Sequence, residues 1–294
     1  MNTDWVPGRI ALVVHPTRPI DDALGALERW AAEPGVPVVQ VAVGDGRREV
    51  AQAGTLRAGD LAVALGGDGT VLAALRAAAP TQTPVLGVAC GSLGALSAVA
   101  GDKLVDALSR VWAGDWTPRS LPALAIDSAS GPDDWAINDL VVVRRGAGQL
   151  IAEVTVDGEL YVRLAGDGLV VATPVGSSAY SMAAGGPLLA FGTPAFVCTP
   201  LAMHGGSAPP LVVPADATVT VDVKPGYTGF DFEIDGQRRR LDTLRLRIAL
   251  HTDRSTLVTF TSTGRGLEGL RRRRVITDSP RVLARDDRAD KVKT

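Results

Sequence analysis

The chain is poor in several residues that would have pointed to a function. It has two cysteines in 294 residues, Cys90 and Cys198, far apart and in no Cys-x-x-Cys pair. That excludes a disulfide framework and a cysteine-built zinc site as sequence readings. Both cysteines are flanked by small and apolar residues, so both are expected in the core. No window approaches 18 consecutive apolar residues, and the start, "MNTDWVPGR", has no long apolar stretch, so neither a membrane span nor a secretory leader is expected. An excess of positive charge is missing too: 30 Lys and Arg stand against 32 Asp and Glu, a net charge of −2. A nucleic-acid or membrane-surface binder normally carries a basic excess, so neither partner is expected. The basic run Arg271–Arg274, with Arg281, Arg285 and Arg288, is interrupted by acids from Asp278 onward and reads as a solvated face or tail. The expectation is a soluble cytoplasmic protein. No internal repeat of fixed period is visible.

What is present divides into two patterns. Up to about Pro118, apolar runs alternate with stretches of helical period. Arg9–Val14, Val36–Val43, Leu61–Leu65 and Val85–Ala89 read as buried strands. Ile20–Glu33, Val71–Ala79 and Asp102–Ala113 read as helices. Near-continuous apolar strands separated by helices indicate a parallel sheet covered on both faces, an α/β doubly wound domain over residues 1–118. From 119 to 262 the period becomes two. Ala152–Leu164 and Asp231–Leu241 each alternate on both sides of an Asp-Gly pair, a hairpin signal. Ala217–Val223 and Leu244–Leu250 continue the pattern, so this part is expected to be a mostly antiparallel, β-sandwich-like domain. Residues 263–294 read as a C-terminal helical segment and polar tail. At this length, two domains are the natural division.

Chemistry concentrates in four places. The first is "LAVALGGDGTVLAAL", Leu61–Leu75. Gly66, Gly67 and Gly69 let a ligand approach the backbone at the end of a parallel strand, and a helix start presents N–H groups to anions. Thr70 is a suitable N-cap. Asp68 is out of place in a phosphate cradle unless it holds a cation or accepts a proton; a tight turn with a local Asp cap is the alternative. The second place is "AGDGLVVATPVGSSAYSMAAGGP", Ala165–Pro187, where Asp167, Thr173, Ser177, Ser178 and Tyr180 crowd among glycines. That reads as a binding loop, since it is long for a plain connection. The third is Asn138-Asp139 before a run of valines, two hydrogen-bonding side chains that on this stretch alone read rather as a solvated strand entry. The fourth is His204 among Gly and Pro, a position where a lone His is more often structural.

In this order and spacing the four segments resemble the NAD kinase family, whose members phosphorylate the 2′-hydroxyl of the adenosine ribose of NAD. The resemblance runs from "VVHPTRP" (Val13–Pro19), similar to the family's first strand and Asn-Pro turn, to Leu257–Phe260. "GGDGT" occurs in lipid kinases as well; combined with "GSLGAL", "ND", "GDG…TPVGSSAY…AGGP" and "H…PLVVP" it is specific. The resemblance implies that Asp68 is the catalytic carboxylate, and that Gly66, Gly67, Gly69 and Thr70 line the donor's phosphates. It implies that Asn138 and Asp139, as the family's Asn-Glu pair, contact NAD. Asp167 is placed at the nicotinamide-ribose side, and Ser178, Ala179 and Tyr180, with Thr173 in the same loop, pack on the dinucleotide. It further implies Mg²⁺ or another divalent cation, ATP or polyphosphate as donor, and a homodimer or homotetramer in which a neighbour completes the site. Departures are Ala95 for an aromatic, Asp139 for Glu, Val175 for a hydroxyl residue, Ala183 for Ser and Pro209 for Arg. They leave open a related kinase with a lipid or other alcohol as acceptor, or a catalytically weak dinucleotide sensor.

Overall fold

A computed structural model describes residues 5–43, 48–128, 134–224, 229–240, 243–260, 267–272 and 274–283. In chain order the elements are β1 (Arg9–Val14), α1 (Asp21–Ala32), β2 (Val38–Gln40), β3 (Asp60–Gly66), α2 (Asp68–Ala78), β4 (Val85–Ala89), β5 (Val99–Ala100) and α3 (Leu104–Trp112). There follow β6 (Thr117–Ser128), β7 (Asp134–Ala136), β8 (Asp139–Arg144), β9 (Leu150–Val156), β10 (Glu159–Gly166), β11 (Gly168–Ala172) and α4 (Tyr180–Ala183). The remainder is β12 (Ala195–Leu201), β13 (Leu211–Pro214), β14 (Thr218–Lys224), β15 (Phe230–Ile234), β16 (Gln237–Arg239), β17 (Arg245–Thr259) and α5 (Leu267–Arg272).

The first half is the expected parallel sheet, in the order β4-β3-β1-β2. Every residue of β3 is buried, as a strand covered on both faces requires. Leu61, Val63 and Leu65 meet Leu27 of α1 and Leu104 and Leu108 of α3. Ala62 and Ala64 face the other way, against Val71, Ala74 and Leu75 of α2. The small side chains of that second face let α2 lie close to the sheet. β2 is shorter than the expected 36–43: it lies at the end of the sheet, paired with β1 on one side and on the other joined to the chain only by a single bridge from Gln40 to Ala53 among the described residues.

The second half has two antiparallel layers. β10-β9-β14-β17, with β6 on β17, forms one, and β13-β12-β11-β8-β15-β16 the other. The core between them takes alternate residues: Val154, Val219, Val221, Leu246 and Ile248 from one sheet, Leu140, Val142, Leu169, Val171 and Phe196 from the other. Both expected hairpins form, and Asp157-Gly158 and Asp235-Gly236 all have positive φ, the geometry of a two-residue primed turn. The sheet continues past residue 118. β17 runs parallel to β4 through Leu257↔Val85, which makes one 11-stranded sheet of the first half and one layer of the second. Cys198 is fully buried in the sandwich core, where burial pushes its thiol up to about 12. Cys90 is only partly buried, unlike the core position expected for it. In the C-terminal segment α5 is helical and Arg271 pairs with Asp278; Arg285 and Arg288 lie outside the described residues. Among the described residues no helix is long and apolar enough to cross a membrane.

One buried carboxylate joins the halves. Asp235, in the β15–β16 turn, accepts hydrogen bonds from the N–H groups of Ile137 (3.1 Å), Asn138 (2.7 Å) and Asp139 (3.4 Å). Its other partner is Arg76 of α2, at 3.0 Å. Arg76 also pairs with Asp134 at 2.9 Å, donates to the Trp135 carbonyl, and stacks on the Trp135 ring with 4.7 Å to the centroid. The Asp235 side chain is 2% exposed. Removing one partner of such a buried pair strands the others, at a cost of about 3–5 kcal/mol. Asp235→Ala should lose that much in denaturant unfolding. Arg163→Ala, which breaks an exposed pair with Glu153, should change stability by less than about 1 kcal/mol.

Candidate active site

The glycine segment is a strand-to-helix junction without slack. β3 ends at Gly66, and a Cβ there would lie 2.2 Å from the Thr70 hydroxyl oxygen. Gly67 is the capping residue, its carbonyl accepting from the N–H of Thr70 at 2.9 Å and of Val71 at 3.1 Å. Helix α2 therefore starts at Asp68, three residues earlier than expected, and Thr70 is not the N-cap. It lies inside the first turn, buried against Gly66. The early start explains how Asp68 is tolerated: a carboxylate in the first turn is favoured by the helix dipole.

Asp68 also has partners outside the helix. Its carboxylate accepts the N–H of Ala95 at 2.8 Å and of Leu96 at 3.0 Å. The "GSLGAL" segment thus wraps onto it so closely that a Cβ on Gly94 would fall 1.9 Å from Oδ1. Around this junction opens a cavity of about 300 Å³, lined by His15, Arg18, Gly67, Asp68, Gly69 and Thr70 among others.

Asn138 and Asp139 sit at the start of β8, held from one side by Asp235. From the other side Thr173 holds them. Its N–H donates to the Asn138 carbonyl at 2.9 Å and its hydroxyl to the Ile137 carbonyl at 2.5 Å. Gly176 packs so tightly on Asn138 that a Cβ would lie 1.9 Å from that carbonyl oxygen. The hydroxyl-rich loop therefore divides in two. Thr173, Ser177 and Ser181 are fully buried and bond within the protein. Ser178 and Ala179 are partly exposed and Tyr180 is 44% exposed. Val175 is buried with Val71, Leu72, Leu96 and Ile137, so one apolar cluster joins α2, the 91–96 segment and the loops around Asn138 and Thr173. Asp139 is almost wholly buried, and its carboxylate accepts no hydrogen bond from the described residues. Burial, reinforced by the charges of Asp235 and Glu233, raises its pKa to about 7.

Asp167 is not part of this gathering. β11 pairs with β8 antiparallel, Ala172 opposite Asp139 and Gly168 opposite Val143. Asp167 therefore lies beyond the far end of β11, roughly 17 Å of strand from Asp139. There it pairs with Arg144 at 2.5 Å. His204 shares that end: its N–H donates to the Ala165 carbonyl and its exposed ring meets Gln149. Arg76, Asp235, His15 and Arg18 were not singled out from sequence. Asp235-Gly236 reads as an ordinary hairpin turn, and nothing local shows that its carboxylate turns back onto Asn138. Among the described residues no cluster of three His, Cys, Asp or Glu could hold a metal ion.

Two family models match the chain: the ATP-NAD kinase N-terminal domain over residues 47–116, and the ATP-NAD kinase C-terminal domain over 137–262. An NAD kinase from Koribacter versatilis is 34% identical over 240 residues, 78% of this chain and 84% of the relative. The chain belongs to the NAD kinase family. An NAD kinase from Heliobacterium modesticaldum is 40% identical over 187 residues, 62% of this chain and 66% of the relative. Two solved structures share the fold. Yeast NADH kinase complexed with NADH has a TM-score of 0.77 and 23% identity, covering 93% of this chain and 89% of that one. An NAD kinase from Archaeoglobus fulgidus in complex with ATP has a TM-score of 0.72 and 22% identity, covering 91% and 100%.

Within this NAD kinase fold the 1.9 Å approach of Gly94 to Asp68 makes a specific demand. Gly94→Ala should leave the melting temperature within a few degrees, because the segment is partly exposed, and should cut phosphoryl transfer at least tenfold by displacing Asp68. Wild-type turnover in this variant would show that the Asp68 position is not critical.

Proposed function

We propose that this protein transfers the γ-phosphoryl group of ATP to the 2′-hydroxyl of the adenosine ribose of NAD, giving NADP and ADP. The observation that carries the reading is Asp68: a carboxylate lining a cavity, its orientation set by two backbone N–H groups and a helix start. The curated NAD kinase relatives support the acceptor, and the ATP named in the Archaeoglobus complex supports the donor; polyphosphate is the alternative donor.

The chemistry is mostly positioning and charge neutralisation. Gly66, Gly67, Gly69 and Thr70 bring peptide N–H groups to the donor's phosphates. Asp68 orients the ribose hydroxyl and takes its proton as the oxygen bonds to phosphorus and the bond to the ADP oxygen breaks. A divalent cation such as Mg²⁺ would supply charge neutralisation on the phosphates. It fits here as an ion arriving with the nucleotide, because Mg²⁺ sites are often completed by substrate phosphates. Asn138, Asp139, Ser178, Ala179 and Tyr180 form the acceptor side, and Thr173 keeps Asn138 in place. Asp139, buried with no hydrogen-bond partner for its carboxylate among the described residues, is suited to a polar group of the bound nucleotide. Asp167 lies roughly 17 Å of strand from Asp139, and a homodimer or homotetramer is proposed on the family resemblance alone. A cytoplasmic location fits this reaction.

Two of the sequence departures lose their force as arguments for an inactive sensor. Val175 is a core residue, and Ala95 serves Asp68 through its backbone N–H. The test is NADP formation from NAD, and NADPH from NADH, with Mg-ATP and with polyphosphate. Asp68→Asn should fold normally and lose about 10²–10⁴ in turnover. NAD binding without NADP in the wild type would instead point to the sensor.

A further inference from the structure

Arg18 is the only Lys or Arg that lines the 300 Å³ cavity among the described residues. Its guanidinium lies over the glycine junction: Nη1, Cζ and Nη2 would be 3.0, 3.3 and 3.5 Å from a Cβ on Gly67, and Nη1 3.6 Å from one on Gly91. The backbone beneath it is tightly held. The N–H of His15 donates to the Leu65 carbonyl at 2.9 Å, just before Gly66. Nδ1 of His15 accepts from the N–H groups of Thr17 and Arg18, at 3.2 and 3.1 Å. Arg48 donates to the Arg18 carbonyl at 2.7 Å. Yet the guanidinium has no hydrogen bond or ion pair with any described residue. An anchored backbone and an unpartnered cation, aimed at the start of an 11-residue helix, have the makings of an anion clamp.

We propose that Arg18 grips the terminal phosphates of the phosphoryl donor against Gly67–Gly69, and that His15 is a positioning residue that builds the turn carrying it. The proposal rests on the phosphotransferase reading and extends it to a residue outside the glycine segment. A guanidinium offers two parallel N–H donors to a phosphate and spreads the charge that gathers on its oxygens during transfer. His15 acts through geometry alone: an unprotonated Nδ1 accepts two consecutive N–H groups, much as an Asn or Asp side chain does in a turn. Burial and the neighbouring Arg18 charge both lower the His15 pKa, which keeps that nitrogen free to accept.

The experiment is calorimetric titration of ATP with Mg²⁺, and separately of NAD, onto the full chain, alongside steady-state kinetics. Arg18→Ala should weaken ATP binding about 10- to 100-fold, the range for a lost charge-assisted contact, with NAD affinity unchanged. Arg18→Lys should recover part of the loss, since a point charge lacks the fork. His15→Leu should weaken ATP binding in the same direction, and His15→Asn, whose amide oxygen can accept the same two N–H groups, should restore most of it. The side chain of Arg18 is exposed, so an unchanged melting temperature is expected and a folding defect will not imitate the effect. ATP affinity of Arg18→Ala within twofold of wild type overturns the clamp, and a His15→Asn variant no better than His15→Leu overturns the positioning role. Wild-type protein that binds ATP through Arg18 but forms no NADP sinks the reading of NAD as acceptor and keeps the clamp. Normal NADP formation with an unaltered KM for ATP in Arg18→Ala does the reverse.

Discussion

The carboxylate of Asp235 is the fixed point on which the site depends. It lies almost out of contact with water, satisfied by three consecutive backbone N–H groups and one guanidinium. The N–H groups belong to the approach to Asn138-Asp139, and the guanidinium to α2. The same helix begins with Asp68, about 12 Å away at 1.5 Å per residue, and Asp68 grips the 91–96 segment. One short helix therefore holds the 91–96 segment through its first residue and the approach to Asn138-Asp139 through Arg76. A buried charge is costly unless every partner is present, so the arrangement tolerates little drift between the halves.

Seen from that joint, the departures from the family pattern are mostly matters of packing. Val175 fills a cluster that touches α2, the 91–96 segment and Ile137 together. Ala95 gives up side-chain surface but keeps the N–H that Asp68 needs. Pro209 offers no side-chain charge, yet its carbonyl accepts the Tyr161 hydroxyl. What changes is side-chain surface, while the N–H groups that hold Asp68 are intact.

Much of this was legible in the sequence, for identifiable reasons. Parallel strands buried on both faces write themselves as apolar runs, and β1 and β4 match their expected bounds. Asp-Gly pairs report hairpins because few other dipeptides accept positive φ twice. The start of α2 was missed because two glycines flank Asp68 and glycine is a poor helix former; the helix starts there on capping geometry and burial rather than on propensity. Non-local facts were out of reach. Nothing local to Leu257 says that it pairs with Val85 and welds the sheets. Nothing local to Asp235 distinguishes a turn residue from a clasp. The placement of Asp167 away from Asp139 follows only from the β8–β11 register. His15 and Arg18 stand in a segment matched to the family's first strand and Asn-Pro turn, with no role assigned to either side chain, and the residues that hold their backbone, Leu65 and Arg48, are distant in sequence.

The central claim is that Asp68 faces the acceptor hydroxyl. A crystal structure of the wild-type chain with NAD, without a phosphoryl donor, tests it most directly. The account predicts the adenosine 2′-hydroxyl within hydrogen-bond reach of the Asp68 carboxylate, about 2.6–3.2 Å, with the adenine side against Asn138 and Asp139. NAD bound with its 2′-hydroxyl turned away from Asp68, toward solvent or toward another side chain, would contradict it.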